Sequence, residues 1–171
     1  MSTYPAWLAG QRITAAKLIA SQEQLAYKTT STPRTSTTTI ANDPDLTLAV
    51  EANAIYSLEG LLVYNGGSTN DDLRMGWAAP ASASLTWVAT GQGLTASTGI
   101  GTVVTDAQDL TSNAYSLGTI ANTRGMTAMI RGLLITAGTA GFLTLQWAQF
   151  TSSATATSML AGSHIGLQRL G

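Results

Sequence analysis

Hydrolytic chemistry needs a base beside a nucleophile, and this chain offers a single imidazole, His164. Ser163 is its neighbour, but in an extended segment adjacent side chains point to opposite faces, so the two do not make a Ser–His pair. No Gly-x-Ser-x-Gly elbow occurs. Three carboxylate pairs, Asp43/Asp45, Asp71/Asp72 and Asp106/Asp109, have spacings suited to Ca²⁺ or glycoside chemistry. Each lies among turn-forming residues, where Asp commonly accepts backbone N–H groups of its own turn. Asn70, Asp71 and Asp72 form the first place to test for a metal. Gly91-Gln92-Gly93 and Gly99-Ile100-Gly101 lack the third glycine and the strand–loop–helix setting of a phosphate loop. Four tryptophans could line a sugar site. Strand alternation at Trp77, Trp87 and Trp147 instead favours core or subunit packing. Trp7 differs, because it precedes every core strand and seeks a partner groove. No residue is assigned a catalytic, cofactor-binding or metal-ligating role, and no cofactor is expected.

The elements that hold these residues must be read against an unusual composition. The 171 residues suit one domain. Cysteine is absent, which removes disulfides and thiolate metal sites. Charged residues make up 10% of the chain, against about 25% in ordinary soluble domains. The net charge is −1 and no basic run exists, so nucleic acid is not an expected partner. A surface so poor in charge is weakly protected against association and suits a protein covered by neighbours. The plain alternative is a neutral β-domain rich in small residues. Met1–Gly10 lacks the basic segment and apolar stretch of a secretory signal. The run from Gly132 to Gln168 is interrupted by Thr, Gln, Ser and Gly too often to span a membrane.

Three regions follow along the chain. Residues 1–28 read as an arm with one short helix over Thr14–Tyr27, Thr14 serving as N-cap. Residues 29–39 are a Ser/Thr-rich linker that becomes an extended edge strand. Residues 40–171 carry period-two patterning. Leu46, Leu48 and Val50 alternate with polar or small residues, and Tyr56, Leu58, Leu62 and Tyr64 share one face before the turn at Asn65-Gly66-Gly67. Leu73, Met75 and Trp77 form another face, and Pro80 ends that run. Met126–Thr136 and Phe142–Phe150, joined through a Gly-containing loop, give the clearest hairpin signal. A last strand alternates Ile165, Leu167 and Arg169 against His164 and Gln168. The expected fold is mostly β: an antiparallel β-sandwich or jelly roll with a short N-terminal arm and helix.

Several stretches resemble small structural proteins encoded by actinobacterial bacteriophages and prophages, labelled capsid-associated or minor tail. They are Pro5-Ala6-Trp7-Leu8-Ala9-Gly10-Gln11-Arg12-Ile13-Thr14-Ala15, the passage from Tyr27-Lys28 to Ile55-Tyr56, Arg131-Gly132-Leu133-Leu134, the run Thr139–Gln149, and Ala161-Gly162-Ser163 to Arg169. The resemblance covers most of the chain and is least distinctive over roughly Ala78 to Asn122. The Leu143-Thr144-Leu145-Gln146-Trp147-Ala148-Gln149 strand also resembles trimeric jelly-roll heads of the tumour-necrosis-factor-like type, which implies a homotrimer. His164 departs from the bulky aromatic that similar sequences carry.

The expectation is a virion surface protein, a capsid decoration or head-fibre module. Trp7, Leu8, Arg12, Ile13 and Leu18 would dock the arm on the phage major capsid protein. Leu143, Leu145, Trp147, Ile165 and Leu167 would close the self-association of the body. Several arms on one oligomer raise one another's effective concentration, and a closed trimer would fit a capsid three-fold axis. The alternative is a minor tail or receptor-binding protein, with loops at Asn65–Asp72 and Gly91–Gly101 meeting the host. A glycan-active or metal-dependent enzyme relying on Asp71 or Asp72 is the third reading.

Overall fold

Alternating apolar and polar residues, which fit a pleated half-buried surface, dominate the chain and fold it into strands. The computed structural model describes residues 9–14, 22–67, 71–94, 103–112, 115–120 and 125–170, and every regular element among them is a β-strand. One eight-stranded sheet runs in the order β1 (Gln24–Tyr27), β12 (His164–Arg169), β4 (Ile55–Gly66), β9 (Met126–Ile135), β6 (Ser84–Gln92), β7 (Val103–Val104). Beside β4 lies β11 (Thr157–Met159), which also pairs with β2 (Thr32–Arg34). The four-stranded sheet runs β3 (Ala41–Val50), β10 (Gly141–Gln149), β5 (Leu73–Ala78), β8 (Tyr115–Leu117). Every strand pairing is antiparallel.

One apolar core lies between the sheets, the arrangement of a β-sandwich. The larger sheet contributes Leu58, Trp87, Ile130 and Leu167; the smaller contributes Leu46, Met75 and Leu145. Trp77 and Trp87 meet edge-on across the sheets at 6.0 Å, and Tyr115 lies 5.1 Å from the Trp87 ring. The Trp87 indole donates to the Asp109 carbonyl at 3.0 Å. Gly132 makes this cluster possible: a Cβ there would stand 2.8 Å from the Thr86 carbonyl oxygen and 3.0 Å from the Trp87 Cβ. Asn53 turns β3 into β4 with φ near 53°, a left-handed conformation that Asn tolerates.

Two expectations need correction. Gln24–Tyr27 is not the end of a helix. It is strand β1, in register with His164–Leu167 of β12, and this pairing overrides a weak local helix preference. The remainder of the expected helix, residues 15–21, lies outside the described residues. Met126–Ile135 and Gly141–Gln149 are strands but not a hairpin: β9 pairs with β4 and β6, whereas β10 pairs with β3 and β5. The loop between them crosses from one sheet to the other. Alternation specifies a strand and its faces, but not its partner. Residues 29–39, expected to become an extended edge strand, include the short strand β2 and are hydrogen-bonded to the body. Thr32–Arg34 pairs with β11, Ser36 donates to the Ser153 carbonyl, and Gln149 donates to the Thr37 carbonyl.

Candidate functional site

The most concentrated polar chemistry is a buried ion cluster where the N-terminal strands meet the smaller sheet. β1 ends at Tyr27, and alternation turns the next side chain, Lys28, inward. Its Nζ lies 2.9 Å from Asp43 Oδ1, 2.8 Å from Asp45 Oδ2 and 3.0 Å from Thr32 Oγ1. The Lys28 and Asp43 side chains are fully buried. Asp43 Oδ1 also accepts the backbone N–H groups of Asp45 and Leu46, and its Oδ2 accepts the Trp147 indole N–H at 2.9 Å. Arg34 stacks 4.1 Å from the centre of the Trp147 ring and donates to the carbonyls of Trp147, Ala41 and Asn42. Burial pulls the Arg34 guanidinium below its ordinary value, and nearby Asp43 opposes that shift. The Asp43/Asp45 pair is therefore filled by a lysine and by backbone donors. It fixes structure, with Asp43 saturated and Asp45 partly exposed.

The other candidates are also committed to the fold. Asp109 Oδ1 accepts the backbone N–H and the hydroxyl of both Thr111 and Ser112, and these bonds hold its carboxyl below the ordinary range. Asp72 is buried beside Asp71 and accepts the Thr119 backbone N–H at 2.7 Å. Burial raises the Asp72 carboxyl, the Thr119 bonds oppose this, and Asp71 adds to it. Tyr64 is pushed up by burial and by Asp72, and its hydroxyl donates to the Gly118 carbonyl at 3.1 Å. Asp71 Oδ2 is buried without a hydrogen-bond partner among the described residues. Asn70 lies outside the described residues, and no group of three or more His, Cys, Asp or Glu gathers for a metal among them. The buried Ser163 hydroxyl accepts the Val63 N–H at 2.9 Å and donates to the Leu160 carbonyl at 2.9 Å. His164 lies on the opposite face, with Nδ1 3.3 Å from the Gly162 carbonyl, so the two share no proton path. Among the described residues no helix is long and apolar enough to cross a membrane.

The outward faces of the two sheets differ. The smaller sheet shows small and polar residues, Thr47, Ala49 and the half-buried Gln146, with Phe142 the one large apolar side chain among the exposed residues of β3 and β10. The larger sheet carries large apolar side chains outside as well as inside, set among polar ones such as Thr127 and Arg131 of β9 and Ser84, Thr86 and Thr90 of β6. On β9, Met129, Leu133 and Ile135 project outward between the buried Ala128, Ile130 and Leu134. Their register partners on β4 are Leu61, Ser57 and Ile55. Leu25 and Tyr27 of β1 extend the same face past His164 and Gly166. Glu59 and Arg131 stand opposite each other but make no ion pair among the described residues.

This contrast relocates part of the expected site. Leu143, Leu145, Trp147, Ile165 and Leu167 are between 0% and 1% exposed. They fill the core of a single chain, where no second copy reaches them, so they are corrected from interface to interior. Their alternation was read correctly, but an inward face looks the same in sequence whether it meets another sheet or another chain. Of the arm residues, Arg12 and Ile13 are exposed, Ile13 at 59%. Trp7, Leu8 and Leu18 lie outside the described residues. Lys28 and Arg34 were missed, and so were Met129, Leu133 and Ile135. The signal for the last three is that Met126–Ile135 places large apolar residues on both faces, with Thr127 and Arg131 among those outside.

No family model matches the chain, and no curated protein is similar to it. Among solved structures, the VP2 subviral particle of infectious bursal disease virus is similar at a TM-score of 0.22 and 10% identity, over 88% of this chain and 41% of that one. The Gx strain of the same virus gives 0.22 and 10%, over 86% and 39%. The chain thus spans well under half the length of these proteins, and likenesses of this size define neither a family nor a partner.

Proposed function

We propose that this chain is a non-enzymatic structural protein on the outer surface of a bacteriophage particle. In this reading it is a capsid decoration or head-fibre module with a jelly-roll body. The N-terminal arm, with Trp7, Leu8, Arg12, Ile13 and Leu18, docks on the major capsid protein, and the β-body joins copies of itself, three in the expected case. The observation that carries the reading is how the chain distributes its side chains. Groups capable of chemistry are committed to local structure: Lys28 neutralises Asp43 and Asp45, the exposed Asp109 caps its own turn, and Ser163 is tied to backbone. Large apolar groups, which a lone soluble body would hide, remain outside on Ile13, Leu25, Tyr27, Met129 and Leu133. Such a surface serves contact with proteins rather than turnover.

Truncation tests the docking arm. A chain lacking residues 1–22 keeps β1 and Lys28 and retains the ion cluster. The expected result is a folded protein that no longer co-sediments with particles lacking their own copy, whereas the full chain does. Equal binding by both overturns the arm. Binding of the full chain to isolated tails and not to heads replaces the capsid reading with the minor-tail or receptor-binding one.

A further inference from the structure

We infer that the outer face of the larger sheet is the interface between copies of this chain, a placement that rests on the self-assembling reading above. The face spans β1, β12, β4, β9 and β6. Five strands at a spacing of about 4.8 Å give a width of about 24 Å, and β4 from Ile55 to Val63 gives a length of about 30 Å. Because β1 has 4 residues and β12 has 6, the area is about 600 Å², about three quarters of the roughly 800 Å² that each partner contributes to a stable protein interface.

Its composition selects a second copy as the occupant. At one end Ile55, Leu133, Ile135 and Leu170 cluster, the Leu170 N–H donating to the Ile55 carbonyl. At the other end Leu25, Leu61 and Met129 surround a shallow depression with Glu23, Glu59 and His164. At the rim of that depression Glu59 stands opposite Arg131 in register, and the two make no ion pair among the described residues. A face that carries both members of an ion pair among large apolar side chains complements itself. In a two-fold assembly Glu59 of one copy meets Arg131 of its partner, and the apolar ends cover one another, a contact that builds pairs of chains rather than the expected three. The smaller sheet, with Thr47 and Ala49 exposed, Gln146 partly so and Phe142 its one large exposed apolar side chain on β3 and β10, is the more polar face.

The test is oligomer mass by light scattering, at micromolar chain, for wild type, for Met129→Lys with Leu133→Lys, and for Phe142→Lys on the other sheet. All three positions are exposed, Met129 at 52%, Leu133 at 42% and Phe142 at 62%, so the substitutions leave the core intact. The wild type and Phe142→Lys should be oligomers, and the double variant a folded single chain. A double variant that keeps wild-type mass, or a wild type that is a single chain, overturns the assignment. A second reading needs no disruption. The chain has no cysteine, so Met129→Cys and Phe142→Cys each offer one thiol. Met129→Cys should react with a maleimide at least tenfold more slowly, and equal rates overturn the placement. The virion reading fails separately. Wild type absent from purified particles sinks that reading while the interface stands; wild type present, with an oligomeric double variant, sinks the interface alone.

Discussion

Lys28 Nζ lies 2.9 Å from Asp43 Oδ1, both side chains fully buried, and Asp43 Oδ2 in turn accepts the Trp147 indole N–H. The contact joins the end of the first strand to the third strand and, through Trp147, to the centre of the smaller sheet. A buried ion pair contributes little over an apolar replacement of the same shape, but removing one partner strands a charge. Lys28→Met should therefore destabilise the chain by about 3–5 kcal/mol in urea unfolding. Lys28→Met with Asp43→Asn should recover part of that loss. A single-variant loss below about 1 kcal/mol would show that the cluster is not closed in solution.

Gly132 gives a steric prediction. A methyl group there meets the Thr86 carbonyl and the Trp87 Cβ, both on the neighbouring strand, so β6 and β9 must separate or Trp87 must tilt. Gly132→Ala should cost about 1–3 kcal/mol and alter the near-ultraviolet signal of the Trp77–Trp87–Tyr115 cluster. An unchanged melting temperature and spectrum would contradict this register.

Asp72 gives a pH prediction. Its carboxyl is raised mainly by burial, so the folded chain binds that proton more tightly than the unfolded chain does. Stability from this group therefore rises as pH falls through the folded value toward the unfolded value of about 4, and is absent above that window. Asp109 is shifted the other way; its contribution is present above the unfolded value and lost only at lower pH, so the two windows do not overlap. Asn at position 72 stays neutral throughout. As pH falls from 7 toward 4 the wild-type melting temperature should rise relative to Asp72→Asn. A constant difference across that range would contradict the shift.

Faces were legible in the sequence and partners were not. Leu46, Leu48, Val50, Tyr56, Leu58, Leu73, Met75, Ile165 and Leu167 are buried as alternation places them, because period two is set by strand geometry alone. The β9–β10 pair was misread because a short Gly-containing loop can close a hairpin or cross between sheets, and residues far away in sequence decide which. The same blindness moved Leu143, Leu145 and Trp147 from interior to interface. Lys28 carried no local mark of burial: its carboxylates lie 15 and 17 residues away, and Trp147 is supplied by β10. The apolar outer row of β9 was legible, and only its meaning was missed. Met129 and Leu133 in alternation with Ile130 and Leu134 place large apolar residues on both faces, which one core does not require.

The central claim is that this nearly uncharged chain is a repeated part of a particle. Quantitative mass spectrometry of purified virions of the encoding phage, with heads and tails separated, tests it most directly. The account predicts the chain in the head fraction, at tens to hundreds of copies per particle and in fixed ratio to the major capsid protein. Its absence from both fractions would contradict the account.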